Sequence, residues 1–318
     1  MSSPHSVDTV HRYSTKPTVA IGSERTGFGS WNWIGADTAK ALSNEFDVRI
    51  FQQEVPATDV VIFVKARPEF EMLRGISEQS VVIYCPVDVY GSAADIDQDA
   101  PALSCCSRII VHCERLRRYF STYAQVEYVD HHLRYVAPLR SEYRQQGPLL
   151  WVGVEGNLPP LVAWANRQSL AEELVVLTNA SVTLDPNAYG FQPHNRIRIE
   201  RWTEERQLQL TEECRCALDV KGDDFRSRHK PPAKAIDFLA SGIPLALQPE
   251  SSPAMHLAKE GFRVAALDDP ARWNSREYWD EVVQFAAELR GRLTLERVAK
   301  RWSNIIWNVL AERHRPNS

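Results

Sequence analysis

Short apolar runs recur along the first half of the chain, and stretches with helical spacing separate several of them. The runs are TVAI (18–21), DVRIFQ (47–52), DVVIFVK (59–65), SVVIYC (80–85), RIIVHC (108–113) and VEYVD (126–130). Runs of this length, rich in β-branched residues, are typical of buried strands. Because the strands alternate with helices, the pattern predicts βαβ units and a parallel sheet.

The pattern restarts after the polar stretch SEYRQQG (141–147). The second set of runs is LLWVGV (149–154), ELVVLT (173–178), NRIRIE (195–200), CALDVKG (216–222), IPLALQ (243–248) and FRVAAL (262–267). The end of the chain, 276–312, is strongly helical and carries an apolar stripe formed by Trp302, Ile305, Ile306, Val309 and Leu310. We therefore predict α/β domains at 17–145 and 146–295, a polar leader at 1–16 and a C-terminal helix at 296–318.

Composition narrows the class of protein. The chain has 318 residues, of which 44% are hydrophobic and 25% charged, so it can bury two cores. Its formal net charge of −4 argues against a general nucleic-acid or membrane-surface partner. No apolar run approaches the ~18 residues of a membrane span, and the N-terminus lacks the apolar core of a signal peptide. Six cysteines without a CxxC pair fit free thiols in a reducing compartment, so we predict a cytoplasmic protein.

The stretch RSRHKPPAKAIDFLASGIPLAL (226–247) gathers cations immediately before a predicted helix. Prolines are tolerated in the first turn of a helix, and Gly242 is placed to end it. A helix N-terminus attracts anions, so we predict that Arg228, His229, Lys230 and Lys234 bind phosphate there. Asp237 shares a face with Lys234 and suits a ribose diol. The alternative interpretation is a solvated helix start with a Lys234–Asp237 pair.

The segment HKPPAKAIDFLASGIPLAL resembles the donor motif of GT-B glycosyltransferases, bacterial nucleotide-sugar transferases with two Rossmann-like domains. The resemblance implies an α/β fold whose domains face each other across a cleft, with a C-terminal helix that crosses back to the first domain. It implies that Asp237 binds the nucleotide ribose. Two positions depart from the family pattern: His229 stands where the family has its first glutamate, and GVEGN (153–157) lacks the usual cation. Arg228, Lys230 and Lys234 are expected to supply that charge.

The first domain is expected to hold the acceptor at the carboxyl ends of its strands. The loop after TVAI offers Glu24 and two glycines, Gly27 and Gly29, that let a substrate approach the backbone closely, unless this is only a flexible turn. Asp88, just past SVVIYC, is a candidate base for the acceptor hydroxyl, although it could equally orient the acceptor or cap a turn. His131 follows VEYV and is a candidate cleft residue, with an ordinary structural role as the alternative.

The resemblance implies a glycosyltransferase that takes its sugar from a nucleotide-diphosphate sugar, with no bound metal and no other cofactor. The acceptor would be the hydroxyl of a small molecule, a glycan or a protein. Two alternatives stay open. One is a nucleotide-sugar epimerase of the same fold, which needs no acceptor. The other is a catalytically silent binding or scaffold protein, which the two departures from the family pattern favour.

Overall fold

The structure is a computed structural model, and it describes residues 15–25, 27, 29–180 and 183–314. Most of the predicted leader, residues 1–14, lies outside the described residues, as does the end of the predicted C-terminal helix, 315–318. The chain forms two units. Unit 1 runs to His132 and takes up the chain again from Leu293, and unit 2 is Leu133–Arg292.

Unit 1 contains a six-stranded parallel sheet with the strand order β2-β1-β3-β4-β5-β6. The central strands β3 and β4 are buried along their whole length, as expected where helices cover both faces of a parallel sheet. The strands are β1 (Thr18–Gly22), β2 (Asp47–Ile50), β3 (Val60–Val64), β4 (Val81–Cys85), β5 (Arg108–Val111) and β6 (Val126–Tyr128). All six coincide with the predicted runs.

The helices of unit 1 follow these strands and include the end of the chain. A π-helical turn, Trp31–Ala36, leads into the first of them, and a 3₁₀ turn, Glu114–Leu116, precedes the fifth. The helices are α1 (Asp37–Leu42), α2 (Phe70–Gln79), α3 (Ala93–Gln98), α4 (Ala100–Leu103), α5 (Arg117–Phe120) and α13 (Leu295–Arg313).

The C-terminal helix α13 is fixed to unit 1 by hydrogen bonds at both of its halves. Ser303 Oγ and Trp307 Nε1 donate to the two carboxylate oxygens of Glu45 at 2.7 and 2.5 Å. Glu312 pairs with Arg108 in β5, with N–O distances of 2.6 and 2.7 Å. The prediction that the last helix returns to the first domain is confirmed.

Unit 2 contains a second six-stranded parallel sheet, with the order β12-β11-β10-β7-β8-β9. Its strands also coincide with the predicted runs, and they are β7 (Leu149–Gly153), β8 (Leu174–Thr178), β9 (Ile197–Arg201), β10 (Cys216–Asp219), β11 (Leu245–Leu247) and β12 (Ala265–Ala266). Its helices are α6 (Leu158–Ala165), α7 (Glu204–Glu213), α8 (Phe225–Arg228), α9 (Ala233–Ala240), α10 (Ser252–Lys259), α11 (Pro270–Trp273) and α12 (Arg276–Arg292).

Unit 2 begins earlier than the predicted boundary at 145. The reason is the segment that follows His132, which is hydrogen-bonded to α9 and α12. The backbone N–H of Ala137 donates to Ser241 Oγ at 3.1 Å, and Arg290 Nη2 donates to the carbonyl of Ala137 at 2.5 Å. These bonds are tertiary, so the composition of the polar stretch 141–147 does not reveal them.

Within the described residues, no helix is both long enough and apolar enough to cross a membrane. All six cysteines are free thiols, and five of them are buried.

Candidate functional site

Three lysines surround one buried carboxylate at the carboxyl edge of the sheet in unit 2. Asp219 is the last residue of β10, and the Nζ atom of Lys221 lies 2.7 and 2.8 Å from its two carboxylate oxygens. Lys230 precedes α9, and Lys234 lies in the first turn of that helix. We call Lys221, Lys230 and Lys234 the lysine cluster.

The lysine cluster acts electrostatically on the carboxyl of Asp219. Burial opposes ionisation of this carboxyl, which is 5% exposed. The charges of Lys221, Lys234 and Lys230 outweigh that effect and hold the pKa of Asp219 below its usual value. The three lysine side chains therefore gather at one place on the carboxyl edge of this sheet.

Lys230 and Lys234 also reach the carboxyl end of β7, the strand next to β10. Lys234 Nζ donates to the carbonyl of Val152 at 2.8 Å and lies 5.9 Å from the ring centroid of Trp151. Lys230 Nζ donates to Asn157 Oδ1 in the following turn at 3.3 Å. Two neighbouring strand ends therefore share the same cations.

The local sequence explains how this arrangement forms. Pro232 is the N-cap of α9, so the helix begins where the chain lacks two N–H donors. Gly242, with φ at +71°, ends the helix in the left-handed conformation that glycine adopts without strain. Glycine is required at position 153, at the end of β7, because a Cβ atom there would lie 2.3 Å from the Trp151 ring.

Asp237 is not in contact with the lysine cluster through its carboxylate, which is used elsewhere. It is 1% exposed, and its two carboxylate oxygens accept the backbone N–H groups of Arg134 and Tyr135 at 3.0 and 3.1 Å. Burial raises the pKa of Asp237 to about 7, although the two N–H donors act in the opposite direction. The carboxylate has no exposed edge for a ribose diol, so we correct its assignment: Asp237 holds the first segment of unit 2 against α9.

In unit 1, two backbone conformations stand out at the carboxyl edge of the central strands. Within the described part of the chain, Lys65 and Asp88 are the non-glycine residues with positive φ, at +67° and +55°. They follow the neighbouring strands β3 and β4. Asp88 is half-buried, and its carboxylate forms no hydrogen bond with the described residues. Strained backbone conformations cluster at functional sites, and the role of Asp88 stays a prediction.

The loop after β1 presents the other predicted acceptor-side residues. Glu24 is half-buried and accepts a hydrogen bond from Gln52 Nε2 at 3.0 Å. Gly27 has φ at +84° and open space around it, so the backbone is accessible there. Gly29 is exposed, and a Cβ atom would lie 3.1 Å from the ring of Trp33. The loop therefore combines an accessible backbone with one carboxylate.

His131 lies at the end of β6 among other rings. It is 5% exposed, and its ring packs edge-on against Trp33 and His112, with centroid distances of 5.6 and 4.6 Å. Burial lowers the pKa of His131 well below 6.5, and the charges of His112 and His132 lower it further. Burial also lowers the pKa of His112 to about 4. His131 is thus a neutral, packed ring at neutral pH.

In the described ranges of the chain, no group of three or more His, Cys, Asp or Glu side chains is arranged to hold a metal ion.

Comparison with solved structures identifies the architecture. AviGT4, a glycosyltransferase involved in avilamycin A biosynthesis, matches with a TM-score of 0.60 at 16% identity, over 93% of this chain and 98% of its own. The pneumococcal O-GlcNAc transferase GtfA, solved with UDP and GlcNAc, matches with a TM-score of 0.54 at 12% identity, over 79% of this chain and 57% of its own. The glycotransferase of kitacinnamycin matches with a TM-score of 0.51 at 10% identity, over 91% of this chain and 99% of its own. The chain has the GT-B fold. The two Rossmann-like domains inferred from the sequence are confirmed.

At the level of sequence, no protein-family model and no curated protein matches this chain. The GT-B fold is therefore recognised here by its strand order and backbone, whereas the assignment of site residues depends on the geometry of this chain alone.

Within this GT-B fold, the predicted donor residues separate into two groups. Lys230 and Lys234 come together at the strand ends, as described above. Arg228 is exposed on α8, and His229 is buried in its own turn, with Nδ1 2.7 Å from the carbonyl of Phe225 and its ring 4.2 Å from the Phe225 ring. The sequence pattern did not lead us to predict Lys221. It could have done so, because Lys221 follows CALDV, whose aspartate ends a buried strand.

Acidification is expected to destabilise unit 1 through its buried histidines. The folded state keeps His112 and His131 neutral, whereas the unfolded chain protonates them near pH 6.5, so their stabilising contribution is complete above that pH and is lost as the pH falls. At pH 5, each of the two histidines should lower the free energy of unfolding by about 2 kcal/mol. Urea unfolding at pH 7.5 and 5 measures this loss.

The variant His112→Phe should remove about half of that pH dependence, and His194→Phe, at an exposed histidine of unit 2, should leave it unchanged. The raised pKa of Asp237 changes stability with pH in the opposite direction to the histidines. Asp237 is present in wild type and in both variants, so its contribution cancels when their pH dependences are compared. Equal pH dependence in wild type and His112→Phe would contradict the assignment.

Proposed function

We propose that this protein is a glycosyltransferase that moves a sugar from a nucleoside-diphosphate sugar to an acceptor hydroxyl. The observation that carries the proposal is the lysine cluster, three lysines gathered at the carboxyl edge of unit 2 in a chain with the GT-B fold. Ligands of open parallel sheets bind at that edge. The similar solved structures named above are glycosyltransferases, and one of them was solved with UDP and GlcNAc.

In this proposal unit 2 holds the donor. Lys230 and Lys234 bind the diphosphate, with Lys221 beside them and Arg228 exposed at the end of α8. During transfer, the bond between the anomeric carbon and the diphosphate oxygen breaks, and its electron pair leaves with the nucleoside diphosphate. Fixed cations stabilise the charge that develops on that oxygen, so the proposal includes no metal ion.

Unit 1 would bind the acceptor. The acceptor hydroxyl forms the new bond to the anomeric carbon and loses its proton, and the Asp88 carboxylate is the group proposed to orient that hydroxyl or receive the proton. The accessible backbone at Gly27 and Gly29, with Glu24, would contact the rest of the acceptor. His131 would support the acceptor site by packing rather than by charge, because its ring is neutral and lies among other rings.

The test is to incubate the protein with UDP-, GDP-, ADP- and TDP-sugars in EDTA and to measure released nucleoside diphosphate, with water or added sugars as acceptor. A glycosyltransferase releases the diphosphate, and Asp88→Asn should reduce the rate by about 100-fold or more. An epimerase would convert the sugar without releasing diphosphate. Binding without either reaction would identify a silent binding protein and refute the proposal.

A further inference from the structure

Asp88 occupies a backbone conformation that needs support from its surroundings. A left-handed conformation is uncommon for a residue with a side chain and persists where neighbouring groups hold it. The Asp88 carboxylate forms no hydrogen bond with the described residues, so its own side chain does not fix the turn. The groups that hold this turn must therefore be sought on either side of it.

Two buried tyrosines flank the turn. Tyr84 lies in β4 and is 1% exposed, and Tyr90 follows Asp88 and is 9% exposed. Tyr84 donates its hydroxyl proton to the carbonyl of Lys65 at 3.2 Å, and Tyr90 donates to Asp99 Oδ2 at 2.5 Å. Tyr84 therefore links β4 to the loop after β3, and Tyr90 links the loop after β4 to Asp99.

Arg67 completes this connection. Its guanidinium forms an ion pair with Asp99, and its Nη1 donates to the carbonyl of Pro68 at 2.9 Å. Both side chains are largely buried, at 15% and 25% exposure, so the pair is better protected from solvent than a surface salt bridge. We call Tyr84, Tyr90, Asp99 and Arg67 the tyrosine network.

Both tyrosines of the network are protonated at neutral pH. Burial raises the pKa of Tyr84 and of Tyr90, so both hydroxyls keep their protons and remain donors. The ring of Tyr90 also packs against Phe120, with a centroid distance of 5.6 Å. The backbone on both sides of Asp88 is consequently fixed, while its carboxylate is left at the carboxyl edge of the sheet.

We propose that the tyrosine network is a positioning device that holds Asp88 in the left-handed conformation, so that its carboxylate faces the acceptor hydroxyl. This inference rests on the proposed function, and it names Tyr84, Tyr90, Asp99 and Arg67 as residues that act on transfer through Asp88 without touching substrate. Glycine at position 88 would relieve the strain of the turn and at the same time remove the carboxylate.

The test compares Tyr90→Phe and Asp88→Gly with a matched control, Tyr123→Phe. Tyr123 also donates to a carboxylate, Asp97, at 2.6 Å, but this bond is exposed and lies outside the network. Three quantities are measured: the φ angle of residue 88 in crystal structures, the melting temperature, and the rate of nucleoside-diphosphate release from the sugar nucleotides named above, together with the Kd of the diphosphate.

We expect Tyr90→Phe to move Asp88 out of the left-handed conformation and to lower kcat about 10-fold, with the Kd of the diphosphate unchanged because unit 2 binds it. Asp88→Gly should raise the melting temperature by about 2 °C and lower kcat about 100-fold or more. Tyr123→Phe should match wild type in all of these. Asp99→Asn replaces Tyr90→Phe if the latter does not fold.

Two results overturn the inference: a Tyr90→Phe protein that keeps both φ and kcat, or one in which Asp88 moves and kcat stays at the wild-type value. If wild type releases no diphosphate from any sugar nucleotide, the proposed function itself fails. The φ angle of Asp88 in Tyr90→Phe then still decides whether the network holds this residue.

Discussion

Replacing Asp237 with alanine is expected to lower the free energy of unfolding by about 2–4 kcal/mol. The carboxylate is 1% exposed and accepts two backbone N–H groups, those of Arg134 and Tyr135. Alanine leaves both donors buried without an acceptor, and each unsatisfied donor costs about 1–3 kcal/mol. Chemical unfolding at pH 7 measures the difference.

The raised pKa of Asp237 determines how the stability cost of the alanine changes with pH. Because the folded-state pKa is raised to about 7 by burial, the folded chain binds a proton at this site that the unfolded chain releases above about pH 4. The contribution of Asp237 to stability is therefore greatest at low pH and declines as the pH rises towards 7. The cost of the alanine should be larger at pH 5 than at pH 8.

An exposed aspartate in the same unit is the matched control. Asp280 is about half exposed, and its closest cation, Arg276, lies 3.9 Å away, so Asp280→Ala should change stability by less than about 0.5 kcal/mol. If Asp237→Ala were as mild as Asp280→Ala, and if it reduced nucleotide binding instead, the corrected assignment would be wrong. The ribose role inferred from the resemblance would then be restored.

The second large effect is expected on binding. Lys234→Met should weaken the affinity for a nucleoside diphosphate by about 10–100-fold, the range of a charge-assisted hydrogen bond. Methionine keeps an apolar stem over Trp151 but removes the charge that reaches the end of β7. Calorimetric titration at fixed salt measures the change.

Lys259→Met is the control for a general loss of positive charge, since Lys259 is exposed on α10 in the same unit. It should retain wild-type affinity. Because local cations attract an anion less strongly at high salt, the difference between the two variants should also shrink as the ionic strength rises. Equal affinity of Lys234→Met and wild type would remove Lys234 from the proposed donor site.

The strands of both sheets could be predicted because their signal is local. Each short apolar run of the sequence identified its own strand, and Gly242 marked the end of α9 through the conformation that only glycine adopts easily. That Lys230 and Lys234 lie near each other could be predicted for the same reason, because the charges and the helix start lie in one short segment.

The partners of Asp237 could not be predicted in this way. Arg134 and Tyr135 stand about a hundred residues earlier in the sequence, and they offer backbone N–H groups, which every residue except proline carries. The face shared by Lys234 and Asp237 suggested a common ligand, whereas packing turns one side chain to the strand ends and buries the other.

The tyrosine network was missed for a related reason. Its four members lie between residues 67 and 99: Arg67 and Tyr90 in loops, Tyr84 in β4, and Asp99 between α3 and α4. No spacing rule connects them. The pairing of β3 with β4 is what brings the two loops to the same edge of the sheet.

The central claim is that the lysine cluster binds a nucleoside diphosphate without metal. The most direct measurement is the melting temperature of the purified protein in EDTA with UDP, GDP, ADP or TDP, for wild type and for the double variant Lys230→Met, Lys234→Met. We predict that one diphosphate stabilises wild type, by about 2.7 kcal/mol at about 100 times its Kd, and that the double variant loses this shift. No shift with any of the four, or a shift that the double variant retains, would contradict the claim.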